Sequence, residues 1–186
     1  MMLAFAAYAL QACHSGTTTT TTDSTATTTD TTKKVVATDT SKSDSSDVKF
    51  AKALAAGGAA EITFSKLAQQ KLAAGKLKDF ANMMVTDHTQ AADTLMAIAA
   101  KENITLPTTM DADHQTQYDS MQKTSGDDFN KAYLKLMVAD HTGAVALITS
   151  ESQSGKDPAL KAFATKILPT VQGHLDAANK LSAGMK

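Results

Sequence analysis

The sequence predicts an all-α protein: a bundle of four long helices and one short helix, preceded by a segment without regular structure. Three observations indicate this fold. From about residue 47 onward, apolar residues recur at steps of three and four, so that they share one face of a helix. Aromatic residues make up only 5 % of the chain, which suits closely packed helices better than sheets. Gly75, Pro107, Gly126, Gly155 and Pro158 fall at the boundaries of the periodic segments, where helices end or begin.

The first two predicted helices form a hairpin. The first spans 47–74, with Ser45 or Ser46 as its N-cap and Gly75 as its stop signal. The second spans 76–103 and is followed by a proline-containing loop. Because only Gly75 separates the two helices, we expect them to pack side by side in opposite directions.

Three further helices complete the predicted bundle. A short helix spans 111–123 and a long one spans 127–154. The last helix begins at Asp157 and Pro158, a cap followed by proline at the first helical position, and Pro169 should kink it. The passage between the second and fourth helices is long. The pattern therefore predicts an antiparallel bundle with a crossover, the arrangement of ferritin-like four-helix bundles.

The segment 1–13 reads as a leader. An apolar run, too short to span a bilayer, ends in Leu-Gln-Ala and Cys13. A signal peptide that ends in cysteine resembles a bacterial lipobox, in which the thiol is lipidated. No Lys or Arg precedes the run, so the start of the sequence is expected to be truncated. The alternative is a frayed apolar N-terminus with an idle thiol.

Residues 14–46 are rich in threonine, serine, lysine and aspartate, a composition that cannot bury a core. They predict a disordered linker between the leader and the folded domain at 47–186. The protein is accordingly expected to be a lipoprotein of a Gram-negative cell envelope, periplasmic or anchored to the outer membrane through Cys13. Whether the domain forms a homo-oligomer is left open.

Composition excludes several classes of function. The net charge is −1 and none of the 18 cationic residues is arginine, which argues against nucleic acid as a partner. The single cysteine excludes intramolecular disulfides, cysteine-based zinc sites and iron–sulfur clusters. No serine or cysteine nucleophile motif is present, so no catalytic residue is predicted and an enzyme is not favoured.

Each long helix carries one ionisable residue in the middle of its apolar face. These residues are Glu61, His88, His141 and His174. Glu61 and His88 lie almost equally far along the chain from the first predicted turn, at Gly75, and His141 and His174 are similarly placed about the second turn. At a rise of about 1.5 Å per residue, the mismatch in depth is roughly 2 Å for the first pair and roughly 5 Å for the second. All four side chains therefore fit one layer.

One carboxylate and three imidazoles in a bundle core predict a site for a transition metal such as iron, copper or zinc. Ligand groups within about 5 Å of one another would favour this hypothesis. The alternative is a hydrogen-bonded polar layer in a structural or interaction module, since buried histidine and glutamate can satisfy each other without a metal.

Five more residues are candidates for supporting or alternative ligands. Asp87 and Asp140 precede histidines in two similar stretches, MVTDHT and MVADHT, and either accept an imidazole N–H from a neighbouring helix or are solvated charges. Met84 and Met137 lie one turn before the same histidines and either bind copper or fill the core. Glu151 lies roughly 20 Å along the bundle axis from the layer and is an outer or second-site candidate.

Residues 50–180 resemble a bacterial envelope family, the domain of unknown function DUF4142, whose members are labelled outer-membrane or periplasmic proteins. The resemblance implies a ferritin-like bundle and an exported location, and it implies little about chemistry. The chain lacks the paired Glu-x-x-His motifs of di-iron proteins, which argues against oxidase or iron-storage activity. The residues that carry the resemblance are Phe50, Glu61, Phe80, Met84, Val85, Asp87, His88, Phe129, Met137, Val138, Asp140, His141, Asp157, Pro158, Leu160, Phe163, Leu168, Pro169, His174 and Leu175.

Overall fold

A computed structural model describes residues 45–185, and this part of the chain contains five α-helices and no β-strand. The predicted all-helical bundle is therefore confirmed. The predicted leader at 1–13 lies outside the described residues, as does the linker at 14–46 apart from its last two residues. The helices are α1 (Ser45–Lys71), α2 (Lys76–Lys101), α3 (Ala112–Met121), α4 (Gly126–Ser154) and α5 (Pro158–Ala183).

The hairpin between α1 and α2 is looser than the sequence predicts. Helix α1 already includes Ser45 and Ser46, so neither serine is its N-cap. It ends at Lys71, and the side chain of Leu72, the next residue, is buried in the core. Gly75 does not stop α1. With a φ of 143°, a value that favours glycine, it occupies the N-cap position of α2.

The start of α5 follows the prediction. Asp157 caps the helix, accepting hydrogen bonds from the backbone N–H groups of Ala159 at 2.9 Å and Leu160 at 2.8 Å. Pro158 occupies the first turn. The helix then continues through Pro169 to Ala183. In the described part of the chain, none of the helices combines the length and apolar character needed to span a membrane.

The buried apolar side chains form two separate clusters. The first cluster is centred on aromatic and methionine side chains, and the second is largely aliphatic. The first contains Ala60, Phe64, Leu67, Ala68, Leu72, Phe80, Ala81, Met84, Met121, Phe129, Tyr133, Leu134, Leu136, Met137 and Ala178. The second contains Phe50, Ala51, Leu95, Ile148, Leu160, Phe163, Ala164 and Val171.

Membership of the two clusters gives the direction of the helices. Both α2 and α4 contribute their N-terminal halves to the first cluster and their C-terminal halves to the second. They therefore run in the same direction. Helix α5 starts in the second cluster and ends in the first, opposite to α4. The passage from α2 to α4 accordingly returns along the bundle: Ile104 and Leu106 pack on the second cluster, and Tyr118 of α3 packs on the first.

A buried aspartate joins the beginning of α1 to the turn between α4 and α5. Asp47 is fully buried, and its two carboxylate oxygens accept backbone N–H groups of Lys156 at 3.0 Å and Asp157 at 2.8 Å. These two N–H groups lie in the turn between α4 and α5, where helical hydrogen bonding does not supply an acceptor for them. Asp47 therefore fixes three helix ends to one another.

We expect Asp47→Ala to lower the free energy of unfolding by about 3 kcal/mol, because one buried and one partly buried amide lose hydrogen bonds to a charged acceptor. Asp93→Ala, at an exposed position of α2, should change stability by less than about 0.5 kcal/mol. Urea unfolding followed by circular dichroism measures both. Equal effects of the two substitutions would contradict the role assigned to Asp47.

Candidate metal centre

Four buried ionisable side chains occupy the middle of the bundle. His141 is fully buried, and Glu61, His88 and His174 are 4 %, 9 % and 3 % exposed. In α2, α4 and α5 the histidine stands between residues of the first cluster and residues of the second. On each helix, apolar residues spaced three and four apart continue on the same face before and after the ionisable residue. The layer is therefore enclosed by apolar packing at both ends.

The three imidazole rings form a nearly equilateral triangle. The ring centroids of His88 and His141 are 5.4 Å apart, those of His88 and His174 5.3 Å, and those of His141 and His174 5.5 Å. Each ring offers one nitrogen to a common centre, and these nitrogens all lie within 4.8 Å of one another. The three histidines thus lie within the limit of about 5 Å that favours a metal site, and the group does not include Glu61.

Two of the rings donate a hydrogen bond to a carboxylate on another helix. His88 Nδ1 lies 3.0 Å from Glu61 Oε2 of α1. His174 Nε2 lies 2.9 Å from Asp87 Oδ2 of α2. An ionised carboxylate can only accept, so each of these ring nitrogens carries the hydrogen. The other nitrogen of each neutral ring then carries a lone pair.

The third ring is oriented by its own helix. His141 Nδ1 lies 2.9 Å from the backbone carbonyl oxygen of Met137, one turn earlier in α4. A carbonyl oxygen also only accepts, and Nδ1 is again the protonated nitrogen. Glu61 Oε1 lies 3.1 Å from the same nitrogen without forming a hydrogen bond with it.

The remaining nitrogen of each ring is buried and has no hydrogen-bond partner among the described residues. These atoms are Nε2 of His88, Nε2 of His141 and Nδ1 of His174. Because the partnered nitrogens hold the hydrogens, all three are lone-pair donors. Buried polar atoms are nearly always paired, and one cation can satisfy three lone pairs at once. The arrangement is thus suited to bind a metal ion.

Glu61 has a different position from the one expected of a ligand. It contacts the protonated Nδ1 atoms of His88 and His141. The group of side chains whose donor atoms converge contains the three histidines and does not contain Glu61. Glu61 therefore holds the ring of His88 from behind, as outer carboxylates do around metal-bound histidines, and it lies beside the outer nitrogen of His141.

The two aspartates that precede histidines have different surroundings. Asp87 accepts from His174 on a neighbouring helix, one of the two alternatives that the sequence left open. Asp140 does not contact a histidine of the triangle. Its Oδ2 lies 3.6 Å from Nε2 of His114 in α3, and Asp111 holds the other ring nitrogen of His114 at 2.7 Å. Burial and the charge of Glu61 raise the pKa of Asp140 to about 6.

The other alternative ligands lie elsewhere. Met84 and Met137 are fully buried in the first apolar cluster, among Phe64 and Tyr133. This position fits the core-filling alternative for both methionines. Glu151 is buried at the C-terminal end of α4, where its carboxylate adjoins Gly155, and it lines a different cavity from the one beside the histidines.

Burial and the neighbouring charges shift the pKa values of the four groups in the layer in different directions. Burial acts to raise the pKa of Glu61, but attraction to His88, His141 and His174 holds that pKa below its ordinary value. Burial acts to lower the pKa of His88, yet Glu61 and Asp87 together raise it. The pKa values of His141 and His174 are lowered, first by burial and further by repulsion from His88, although Glu61 acts to raise both.

A pocket of about 900 Å³ adjoins the layer. It is bounded by α1, α2, α5 and the segment between α2 and α3, and both His88 and His174 line it. Sequence reasoning did not predict this pocket. The sequence signal for it is the set of apolar residues Ile104, Leu106 and Met110 in the connection between α2 and α3, and all three line the pocket.

Comparison with known proteins identifies the family. The domain of unknown function (DUF4142) matches residues 30–181, and the chain therefore belongs to this family. No curated protein matches the chain. Among solved structures, the crystal structure of a DUF305 fragment from Deinococcus radiodurans is similar, with a TM-score of 0.68 and 13 % identity. The match covers 76 % of this chain and 97 % of that one, and at this identity the likeness concerns the fold alone.

We expect the metal-free protein to lose stability through His141 and His174 as the pH falls below about 6.5. Both rings have a lowered pKa when folded, so protonation below 6.5, the ordinary value, favours the unfolded chain. Their contribution is fully present above that pH. The effect of His88 on stability has the opposite pH dependence, because its pKa is raised in the folded protein. Its contribution to the free energy of unfolding is fully present below pH 6.5 and is lost as the pH rises through the folded pKa.

Urea unfolding in the presence of a chelator, from about pH 5 to about pH 8, separates the two contributions. In His141→Gln the free energy of unfolding should fall less on acidification than in the wild type, whereas in His88→Gln it should fall more. The same pH dependence in both variants would show that the two rings do not differ in this way.

Proposed function

We propose that this member of the DUF4142 family binds one divalent transition-metal ion through His88 Nε2, His141 Nε2 and His174 Nδ1. The supporting observation is that these three buried nitrogens have no hydrogen-bond partner among the described residues, while their opposite nitrogens are held by acceptors. Neutral imidazole is the commonest protein ligand for such ions. Three protein ligands leave a fourth position for water or another molecule.

Two carboxylates would support the bound ion without touching it. Glu61 and Asp87 fix the hydrogen on the outer nitrogens of His88 and His174. A hydrogen bond of this kind orients the ring and makes its inner nitrogen more basic.

The three nitrogen donors indicate which metals the site would bind and which role it would have. Three nitrogen donors suit zinc, copper or iron, and do not suit magnesium or calcium, which prefer oxygen. The converging group lacks the several carboxylates of a di-iron centre. We therefore propose metal binding, in metal handling or in protection from metal-driven stress, rather than iron storage.

We also propose that the bundle has the ferritin-like arrangement. Two hairpins, α1–α2 and α4–α5, pack on each other, and α1 contacts α4 while α2 contacts α5. The parallel direction of α2 and α4 calls for a connection along the bundle, which is how ferritin-like proteins join their two hairpins.

The proposed location is the cell envelope, with the domain anchored through Cys13 and held by the linker at 14–46. The sequence of these residues is the whole support for this location. Cells grown with a labelled fatty acid should transfer the label to the wild-type chain and not to Cys13→Ala. Equal labelling of the two chains, or labelling of neither, would exclude the anchor.

A second candidate function is a structural or interaction module whose polar layer is hydrogen-bonded without a metal. The hydrogen bonds from His88 to Glu61 and from His174 to Asp87 favour it. It leaves the three inner nitrogens unexplained, because a layer that serves only structure would be expected to satisfy them.

The metal hypothesis predicts about one equivalent of iron, copper or zinc in the purified full chain after incubation with each ion and desalting. Elemental mass spectrometry measures the content. His141→Gln should bind less than a tenth of an equivalent, because a third of the donor set is lost. The bound ion should also raise the melting temperature.

The matched control is His114→Gln, which removes a histidine outside the triangle and should leave metal content unchanged. Less than a tenth of an equivalent in the wild type with every ion would contradict the hypothesis. So would the same metal content in His141→Gln and the wild type.

The repeated stretches provide a second matched pair. Asp87→Asn should weaken metal binding about 10- to 100-fold, because it removes the carboxylate that orients His174. Asp140→Asn, at the equivalent position of the other stretch, should leave affinity within about twofold. Competition with a chromogenic chelator measures both, and equal affinities in the two variants would contradict the role of Asp87.

A further inference from the structure

We propose that the pocket beside the histidines binds an aliphatic carboxylate of medium chain length, with its carboxylate on the metal and its chain along the apolar wall. This inference rests on the proposed function, since it assigns the fourth position of the metal. It goes beyond that function by naming the class of molecule that reaches the position.

The first support is the character of the walls. A volume of about 900 Å³ lies within the range of small-molecule pockets. The walls combine aliphatic residues with a single phenyl ring, that of Phe163, which favours a flexible chain over a planar ring system. The aliphatic residues that line the pocket are Leu54, Ala55, Ala59, Ile62, Ala91, Ala92, Leu95, Ala99, Ala100, Ile104, Leu106, Ala144, Ile167 and Val171.

The second support is the length of the pocket. Along α2 the lining residues run from Asp87, beside His88, to Ala100, and along α5 they run from Phe163 to His174. The two spans correspond to roughly 20 Å and roughly 16 Å of helix at a rise of about 1.5 Å per residue. Since α2 and α5 run in opposite directions, both spans begin at the histidines and lead the same way. A chain whose head lies at His88 and His174 therefore meets aliphatic walls along its length.

The third support is the charge of the lining. Two carboxylates, Glu61 and Asp87, and two ammonium groups, Lys66 and Lys166, line the pocket and cancel. A divalent ion held by neutral imidazoles adds two positive charges, so the inner end attracts an anion. An oxygen anion is also a suitable fourth ligand for such an ion.

Two of the threonine hydroxyl groups in the lining do not provide a site for the head group. The Thr63 hydroxyl donates to the Ala59 carbonyl at 2.7 Å, and the Thr94 hydroxyl donates to the Gln90 carbonyl at 2.9 Å. Both hydroxyl hydrogens are therefore already used within their own helices.

Gly58 provides a way to close the pocket. It lines the pocket from α1, and a Cβ placed on it would meet no atom within 4 Å. Gly57, its neighbour, has the same open surroundings but does not line the pocket. Replacing glycine inside a helix also improves helix propensity at both positions. Gly58→Phe and Gly57→Phe are therefore a matched pair that differ in whether the ring enters the pocket.

The experiment is calorimetric titration of the full chain, loaded with the ion it binds, with octanoate, decanoate and dodecanoate. Each added methylene that is buried should tighten binding about fourfold. Decanol, which has the chain without the anionic head, should bind at least tenfold more weakly than decanoate. Gly58→Phe should weaken decanoate binding at least tenfold, and Gly57→Phe should not change it beyond twofold.

Metal content is measured first in each protein, which separates the two proposals. If the wild type takes up no metal, the proposed function fails and this inference fails with it. If metal binds normally but affinity does not depend on chain length, this inference alone is overturned. It is also overturned if Gly58→Phe, with normal metal content and melting temperature, binds decanoate as tightly as Gly57→Phe, or if metal-free protein binds decanoate as tightly as loaded protein.

Discussion

The hydrogen bond from His88 to the buried carboxylate of Glu61 is the interaction on which the centre of this bundle depends. A buried carboxylate without a hydrogen-bond partner is costly, because it loses its contacts with water without compensation. The pair joins α1 to α2 at one depth, which sets the register of the hairpin. It also decides which nitrogen of His88 is protonated, and therefore which lone pair faces His141 and His174.

The two similar stretches around His88 and His141 have the same sequence pattern and different contacts. In both, the threonine after the histidine donates its hydroxyl hydrogen to a backbone carbonyl one turn earlier. The distance is 2.6 Å from Thr89 to the Val85 carbonyl and 2.7 Å from Thr142 to the Val138 carbonyl. The aspartates diverge because their neighbours differ: Asp87 faces α5, and Asp140 faces α3. Repetition thus supplies two equivalent helix faces, and the surrounding helices decide what each polar side chain does.

Periodicity was enough to predict the helices and the depth of the four ionisable residues, because the rise per residue is fixed and hairpin helices retrace each other. It could not assign Glu61, since its role depends on which ring nitrogen it meets, a matter of rotamers and helix rotation. The partner of His141 is a backbone carbonyl, which no side-chain pattern marks. Helix ends were also less predictable: α1 ends at Lys71, and Leu72 is buried in the core, before Gly75 is reached.

The unequal surroundings of the three histidines give the layer a direction. His141 is fully buried and does not line the pocket, whereas His88 and His174 do. Beyond the layer, the first cluster is packed with large side chains such as Phe64 and Tyr133. An ion or ligand therefore has access from the pocket, and the far side is sealed. The same apolar packing that stabilises the bundle excludes water behind the histidines, which leaves their inner lone pairs to whatever enters through the pocket.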